Sequence, residues 1–388
     1  MLAKVARQFC QAIRRLSSSV KLTNSHLKLK LNSQELQINY FWLRDHCRCS
    51  QCYNSVTNQR LFDLLSVPPD IVASQVNYTD TNDLKVTWPD GHQSTFDLKF
   101  IASNWLTEQK PALEQVRLWS GKEMHSKGGL TPVPYESVMK SDQGLAQLYK
   151  NIAEFGFGCV GETPYSDAES TRELMERVGV IQNTVFGLFW VFGATMDKHA
   201  DTAYTNEAIG AHNDSTYYTT TPGIQVFHCL QTAATGGETL LVDGFNAAAS
   251  LRQEKSEAFR FLTNTPIPQH YLEPGAHLRC DTLPVIGLHP RTQELYRIRY
   301  NPYDRAPLST NLTKSQVQKF YESYVAFTKI VRDKDSEYWL RLEPGNVIFV
   351  NNFRVMHGRA AFEGNRKLCG GYLTMDDFVS RARTLAVI

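Results

Sequence analysis

The chain has 388 residues, 42% of them hydrophobic, and 41 Lys and Arg set against 39 Asp and Glu. That length allows one large domain or two modest ones with ample core. The charge balance excludes the basic stripe of a nucleic-acid binder, and no run of about 18 apolar residues offers a membrane span.

From the N-terminus, the first 34 residues hold no Asp or Glu but carry Lys4, Arg7, Arg14, Arg15, Lys21, Lys28 and Lys30. On a helix Leu2, Val5, Ala6, Phe9 and Ile13 would share one face, and Arg14-Arg15-Leu16-Ser17-Ser18-Ser19 adds Ser-rich character. This pattern predicts a mitochondrial presequence over 1–22, cleaved between Leu16 and Leu22, and hence a matrix protein. A basic disordered tail would share the composition.

Residues 27–120 read as a small β-rich domain, with strands over Leu36–Tyr40 and Leu84–Trp88 broken by Pro68-Pro69 and Asp90-Gly91. The Asp-Gly step predicts a hairpin turn. Within it Cys47, Cys49, Cys52 and His92 offer three thiolates and one imidazole, a closed tetrahedral set for structural zinc. A free-thiol cluster beside a loop histidine is the alternative. His46 beside Cys47 suggests a catalytic pair, but neighbours on a strand face opposite ways, so we assign them to structure. In a reducing matrix Cys10, Cys159, Cys229, Cys280 and Cys369 are expected as free thiols.

A polar connection over 126–135 marks the boundary to a second domain, 130–388. Helices are predicted near Gly144–Glu154 and Ala168–Val178. Between them Gly156, Gly158 and Gly161 match a dinucleotide fingerprint, but a helix precedes them and a strand follows, the reverse of what that site needs. Gly156 reads instead as a helix C-cap. Beyond Gly223 the chain is mostly strand, with helices over Ala247–Leu262 and Lys314–Val331.

The chemistry lies in His212-Asn213-Asp214 and His357. In an extended segment His212 and Asp214 point the same way. Two imidazoles and one carboxylate on one face of iron(II) leave the other positions open. His-x-Asp alone is common. Here it is accompanied by Arg366, nine residues past His357, whose guanidinium suits a dicarboxylate, and by Thr239 after Gly236-Gly237.

These features sit among longer matches: Trp42-Leu43-Arg44-Asp45-His46-Cys47, Trp88-Pro89-Asp90-Gly91-His92, Asp201-Thr202-Ala203-Tyr204-Thr205, Gly223 to Cys229, and Val242-Asp243-Gly244-Phe245. With them the chain resembles the 2-oxoglutarate-dependent γ-butyrobetaine and trimethyllysine dioxygenase family. Arg297 to Asn301, Tyr303 to Ala306 and Leu368 to Thr374 lean towards the trimethyllysine branch. The resemblance implies a mainly β fold with flanking helices, a double-stranded β-helix or jelly roll, after the N-terminal zinc-binding domain.

It also implies iron(II), 2-oxoglutarate, O2 and ascorbate, with Arg366 and Thr239 on the far carboxylate of 2-oxoglutarate. Trp190, Tyr372 and Phe186, the last where relatives carry tyrosine, would cage a trimethylammonium, which has no N–H and is stabilised by aromatic faces. Arg366 and Tyr372 share parity on a strand, although Gly370-Gly371 could break it. Asn301 and Asp201 stand where the sibling enzyme uses two asparagines for a carboxylate. An aspartate there suits the α-ammonium of an amino acid.

The expected reaction is 3-hydroxylation of N6-trimethyllysine, releasing succinate and CO2, the entry step to carnitine synthesis. γ-Butyrobetaine hydroxylation and a non-catalytic quaternary-amine-binding protein are the alternatives. A homodimer is expected.

Overall fold

The computed structural model describes residues 19–31, 34–79, 83–105, 116–193, 205–308 and 312–388. They belong to two compact units that divide between residues 111 and 112. Residues 1–18 of the expected presequence, Cys10 and Asp201 lie outside the described residues. No helix among the described residues is long and apolar enough to cross a membrane.

The first unit begins with the antiparallel strands β1 (Ser19–Leu22), β2 (His26–Leu31) and β3 (Gln34–Asn39). Strict alternation in β2 and β3 pairs Leu27 with Ile38 and Leu29 with Leu36, all buried, while Lys28 and Lys30 face outward. β1 is the edge strand of this sheet, so the expected presequence cleavage would spare it only before Ser19.

The expected strand over Leu36–Tyr40 stops at Asn39, whose side chain accepts from Trp42 N and starts helix α1 (Tyr40–Asp45). Asparagine is among the best helix N-caps, and that local bond overrides the strand pattern. His46 and Cys47 therefore follow a helix rather than sit on a strand. They are separated nonetheless, since His46 stacks on Trp42 with ring centroids 4.2 Å apart. A second antiparallel sheet, β4 (Gln75–Tyr78), β5 (Leu84–Thr87) and β6 (Gln93–Phe96), turns at Asp90-Gly91, where Gly91 takes φ +80°.

The second unit packs two sheets face to face. The larger has strands β7 (Val133–Pro134), β8 (Phe157–Gly161), β9 (Trp190–Phe192), β11 (Ile224–Gln231), β14 (Val347–Asn351) and β16 (Lys367–Leu373). Their spatial order is β9-β16-β11-β14-β8-β7. The smaller has β10 (Ile209–His212), β12 (Thr239–Asp243), β13 (Tyr338–Leu340) and β15 (Val355–Arg359), in the order β10-β15-β12-β13.

Strand parity divides the core. On β11, Ile224 and Val226 join Leu145, Leu148, Tyr149 and Ile152 of α2 (Asp142–Phe155), Leu174 and Met175 of α3 (Glu169–Val178) and Phe378 of α7 (Met375–Thr384). The opposite faces of β14, β12 and β15 contribute Ile348, Val350, Leu241 and Val355 to the layer between the sheets. Leu240, Val242 and Met356 point the other way, onto α4 (Gly244–Glu254), α5 (Ser256–Asn264) and α6 (Lys314–Val331).

Helix α2 ends at Gly156, φ +80°, where a side chain would meet Val355 Cγ2 at 2.6 Å, and β8 follows directly. The single helix expected over Ala247–Leu262 is two, broken at Lys255. Neither Gly nor Pro marks that break in the sequence.

One buried histidine sets an acid limit on this core. His228, fully buried on β11, meets Thr171 Oγ1 through Nδ1 at 2.6 Å and has no partner at Nε2 among the described residues. Burial pushes its pKa down to about 4. The unfolded chain then binds a proton that the folded chain refuses, so stability is whole above pH ~6.5 and falls as pH drops towards 4. At pH 4 this costs about 3 kcal/mol. Denaturant titrations across that range should show the loss, and His228→Asn should flatten it.

Candidate active site

His212 ends β10 and His357 stands in the middle of β15, and the two are direct cross-strand partners. Their ring centroids lie 4.5 Å apart. Asp214 lies beyond the strand, in a turn that Ser215 closes at φ +54°. His212 and Asp214 thus do not converge by strand parity. The turn brings Asp214 Oδ1 to 3.1 Å from His212 Nε2 and 3.6 Å from His357 Nε2. Two ligands about 2.1 Å from one octahedral metal, at a right angle, lie about 3 Å apart. The three donors fit one ion.

Hydrogen bonds over long chain separations hold this turn. Asp214 N donates to Asn352 Oδ1 at 2.9 Å, and Asn352 Nδ2 returns a bond to Asp214 O at 3.0 Å. Asn213 locks the other side, accepting from Tyr300 N and donating to Asn352 O. Arg299, 1% exposed, donates to Thr216 O as well as to the carbonyls of Ile267, Leu283 and Cys280.

His212 Nδ1 lies 2.9 Å from Gly210 O, which places the proton there and leaves the Nε2 lone pair for a metal. Burial would raise the Asp214 carboxyl, but the two imidazoles and the Tyr372 hydroxyl hold it well below the usual carboxylate range. Burial opposes charge on His212 too, yet the bond to Asp214 and that carboxylate's charge raise its pKa. His357 is pushed down to about 4, chiefly by burial, so it is neutral at physiological pH.

The three donors open on a cavity of about 750 Å³. Arg366 and Thr239 line it, Thr239 at the start of β12 and Arg366 just before β16. Burial depresses the guanidinium's pKa, and no carboxylate pairs with it among the described residues. Phe186, Trp190 and Tyr372 line the same cavity. Trp190 stacks on Phe192 at 4.2 Å, and Phe186 meets Tyr271 edge-on at 5.7 Å. Gly370-Gly371 do not interrupt β16, so Arg366, Leu368 and Tyr372 keep one parity and all reach the cavity.

Asn301 also reaches the wall, but its amide is filled. It donates to Asn213 O and to Asp304 Oδ2, and accepts from Tyr303 N and Asp304 N. Two donors and two lone pairs are its whole capacity. Asn301 therefore braces Asp304, which also lines the cavity, rather than offering a group to a ligand. Sequence reasoning gave no role to Asp304, Tyr303, Tyr271, Phe227 or Gln225. Period-two alternation along Gly223–Cys229 would have put Gln225 and Phe227 on one face.

In the first unit, His92 Nε2 lies 3.4 Å from Cys47 Sγ, 3.7 Å from Cys49 Sγ and 3.6 Å from Cys52 Sγ. Bonds of about 2.3 Å to sulfur and about 2.0 Å to nitrogen at tetrahedral angles put S and N about 3.6 Å apart. Arg44 Nη1 lies 3.2 Å from Cys52 Sγ, a donor suited to a thiolate. The four side chains match a tetrahedral metal.

The model of the family "Taurine catabolism dioxygenase TauD, TfdA family" matches residues 121–372, and that of "Gamma-butyrobetaine hydroxylase-like, N-terminal" matches residues 19–102. The human protein named "Trimethyllysine dioxygenase, mitochondrial" is 38% identical over 365 residues, covering 93% of this chain and 86% of that protein. A Neurospora crassa protein named "Trimethyllysine dioxygenase" is 39% identical over 382 residues, 88% of this chain and 79% of that one. A Pseudomonas "Gamma-butyrobetaine dioxygenase" is 30% identical over 348 residues, 89% of each chain.

Proposed function

The chain belongs to the TauD, TfdA dioxygenase family and, within it, to the trimethyllysine dioxygenases, and on that premise we propose that it hydroxylates N6-trimethyllysine at C3. The observation that carries the reading is the convergence of His212, Asp214 and His357 beside Arg366 in an aromatic-lined cavity. We read the facing sheets as the double-stranded β-helix of such enzymes. His212 Nε2, Asp214 Oδ1 and His357 Nε2 would hold iron(II). Bound iron and 2-oxoglutarate supply the oxidising power, with O2 consumed and succinate and CO2 released.

Each remaining task falls to a residue of the chain. Arg366, with Thr239 beside it, binds the far carboxylate of 2-oxoglutarate, and its burial strengthens that pairing. Trp190, Phe186 and the face of Tyr372 receive the trimethylammonium. Asp201 and the Asn301-braced Asp304 attract the α-ammonium at the other end. The aromatic walls keep water from the reacting carbon.

The test is turnover of the chain with iron(II), 2-oxoglutarate and ascorbate, offering trimethyllysine and γ-butyrobetaine in parallel. Succinate formation tied to trimethyllysine is expected. Turnover of γ-butyrobetaine alone would overturn the substrate while leaving the chemistry. Asp201→Asn should depress trimethyllysine turnover selectively. A burst of 2-oxoglutarate decarboxylation without amine would dispose of the binding-protein alternative. Ascorbate as reductant, a homodimer and residence in the mitochondrial matrix complete the reading, the last supported by the mitochondrial names of vertebrate relatives.

We further propose that Cys47, Cys49, Cys52 and His92 hold a structural zinc that cross-links α1 to the β5–β6 turn. One zinc per chain should survive gel filtration. Cys52→Ser should lose that zinc and strip hydrogen-exchange protection from Leu27, Leu29 and Ile38, since small metal-tied units unfold without their ion.

A further inference from the structure

The two oxygens of Asp214 have different neighbours. Oδ1 faces the imidazoles. Oδ2 accepts from the Tyr372 hydroxyl at 2.8 Å and from the Gln225 side-chain amide. These donors stand opposite one another, Gln225 on β11 paired with Tyr372 on β16. Both are buried, at 1% and 4% exposure. They belong to the larger sheet, whereas the two histidines belong to the smaller, so Asp214 spans the gap between the sheets.

We propose that Tyr372 and Gln225 are positioning residues that keep Asp214 a one-oxygen ligand, so that Tyr372 serves the metal site through its hydroxyl and the aromatic wall through its ring. This rests on the iron reading above. A free carboxylate can chelate through both oxygens and fill a position that co-substrate or O2 needs. With Oδ2 engaged by two donors, turning it towards the metal breaks both bonds and takes the acceptor away from the buried Gln225 amide.

The experiment titrates Mn(II) into the metal-free full chain by electron paramagnetic resonance, for wild type, Tyr372→Phe, Tyr372→Leu and Gln225→Met. Partners of metal ligands are worth about 10–100-fold in affinity, and Tyr372→Phe and Gln225→Met should each weaken Mn(II) by that factor. At saturating iron, Tyr372→Phe should raise KM for trimethyllysine less than Tyr372→Leu does, because the ring face remains. Tyr372→Leu should raise that KM as well. Mn(II) affinity equal to wild type in both Tyr372→Phe and Gln225→Met overturns the proposal, even if turnover is as expected. Weakened Mn(II) in those variants, with a wild type that turns over neither amine, supports the positioning role and refutes the substrate reading instead.

Discussion

Asp214→Ala should reduce iron-dependent succinate formation by at least about a hundredfold, because even the outer hydrogen-bond partners of metal ligands are worth 10–100-fold and the proposed role of Asp214 is that of a ligand itself. The substitution removes the sole anionic donor of the His212, Asp214 and His357 set. Two neutral imidazoles would then have to hold a dication with no carboxylate left in the ligand set. It also removes the carboxylate oxygen to which Tyr372 and Gln225 both donate. The fold should persist. Asn352 binds the backbone N–H and carbonyl of residue 214 rather than its carboxylate, and alanine retains both bonds. Thermal unfolding of the metal-free variant should therefore stay near wild type while Mn(II) binding disappears. Turnover within about tenfold of wild type would remove Asp214 from the ligand set.

Much of this centre was legible as residue types at given spacings, and much of its geometry was not. Cys47, Cys49, Cys52 and His92 could be grouped because the ligand chemistry of zinc restricts the choice to a few side chains. His212, Asp214 and His357 could be grouped likewise. How Asp214 reaches His212 could not be read, because the turn is held by Asn352, 138 residues away, and by Tyr300. Parity along β16 correctly brought Arg366 and Tyr372 to one side, since the side-chain period of a strand is a local property. The partner of the Tyr372 hydroxyl is not local. Asn301 shows the converse: a position suited to binding substrate has its whole amide taken up by Asn213, Tyr303 and Asp304. The same holds for the fold. Helix α6 spans Lys314–Val331, the bounds its pattern predicts, and Thr313 and Gln316 form a capping box at its start. Helix α1 was missed because a single Asn39 cap outweighed an alternating pattern.

Asp243→Ala should destabilise the second unit by about 3–5 kcal/mol, the range for removing one partner of a buried ion pair. Asp243 and Arg354 are 0% and 1% exposed at their side chains and meet at 2.8 Å. Arg354 also donates to Glu154 O and Arg117 O, while Asp243 accepts from Trp119 N and caps α4 through Phe245 N. The pair therefore ties the end of β12, which begins at Thr239, to the start of β15, which carries His357. Alanine leaves the guanidinium buried with two carbonyls and no counter-charge, and it uncaps a helix as well. A surface pair would cost less than about 1 kcal/mol, so denaturant unfolding separates the two cases. Arg354→Leu together with Asp243→Asn should recover part of the loss, because no uncompensated charge remains and asparagine still caps α4. If the single and double variants unfold alike, the cost lies in lost packing around residue 243 rather than in the orphaned charge. Turnover of Asp243→Ala should fall more steeply on warming than that of wild type, because Thr239 and His357 lose their common anchor.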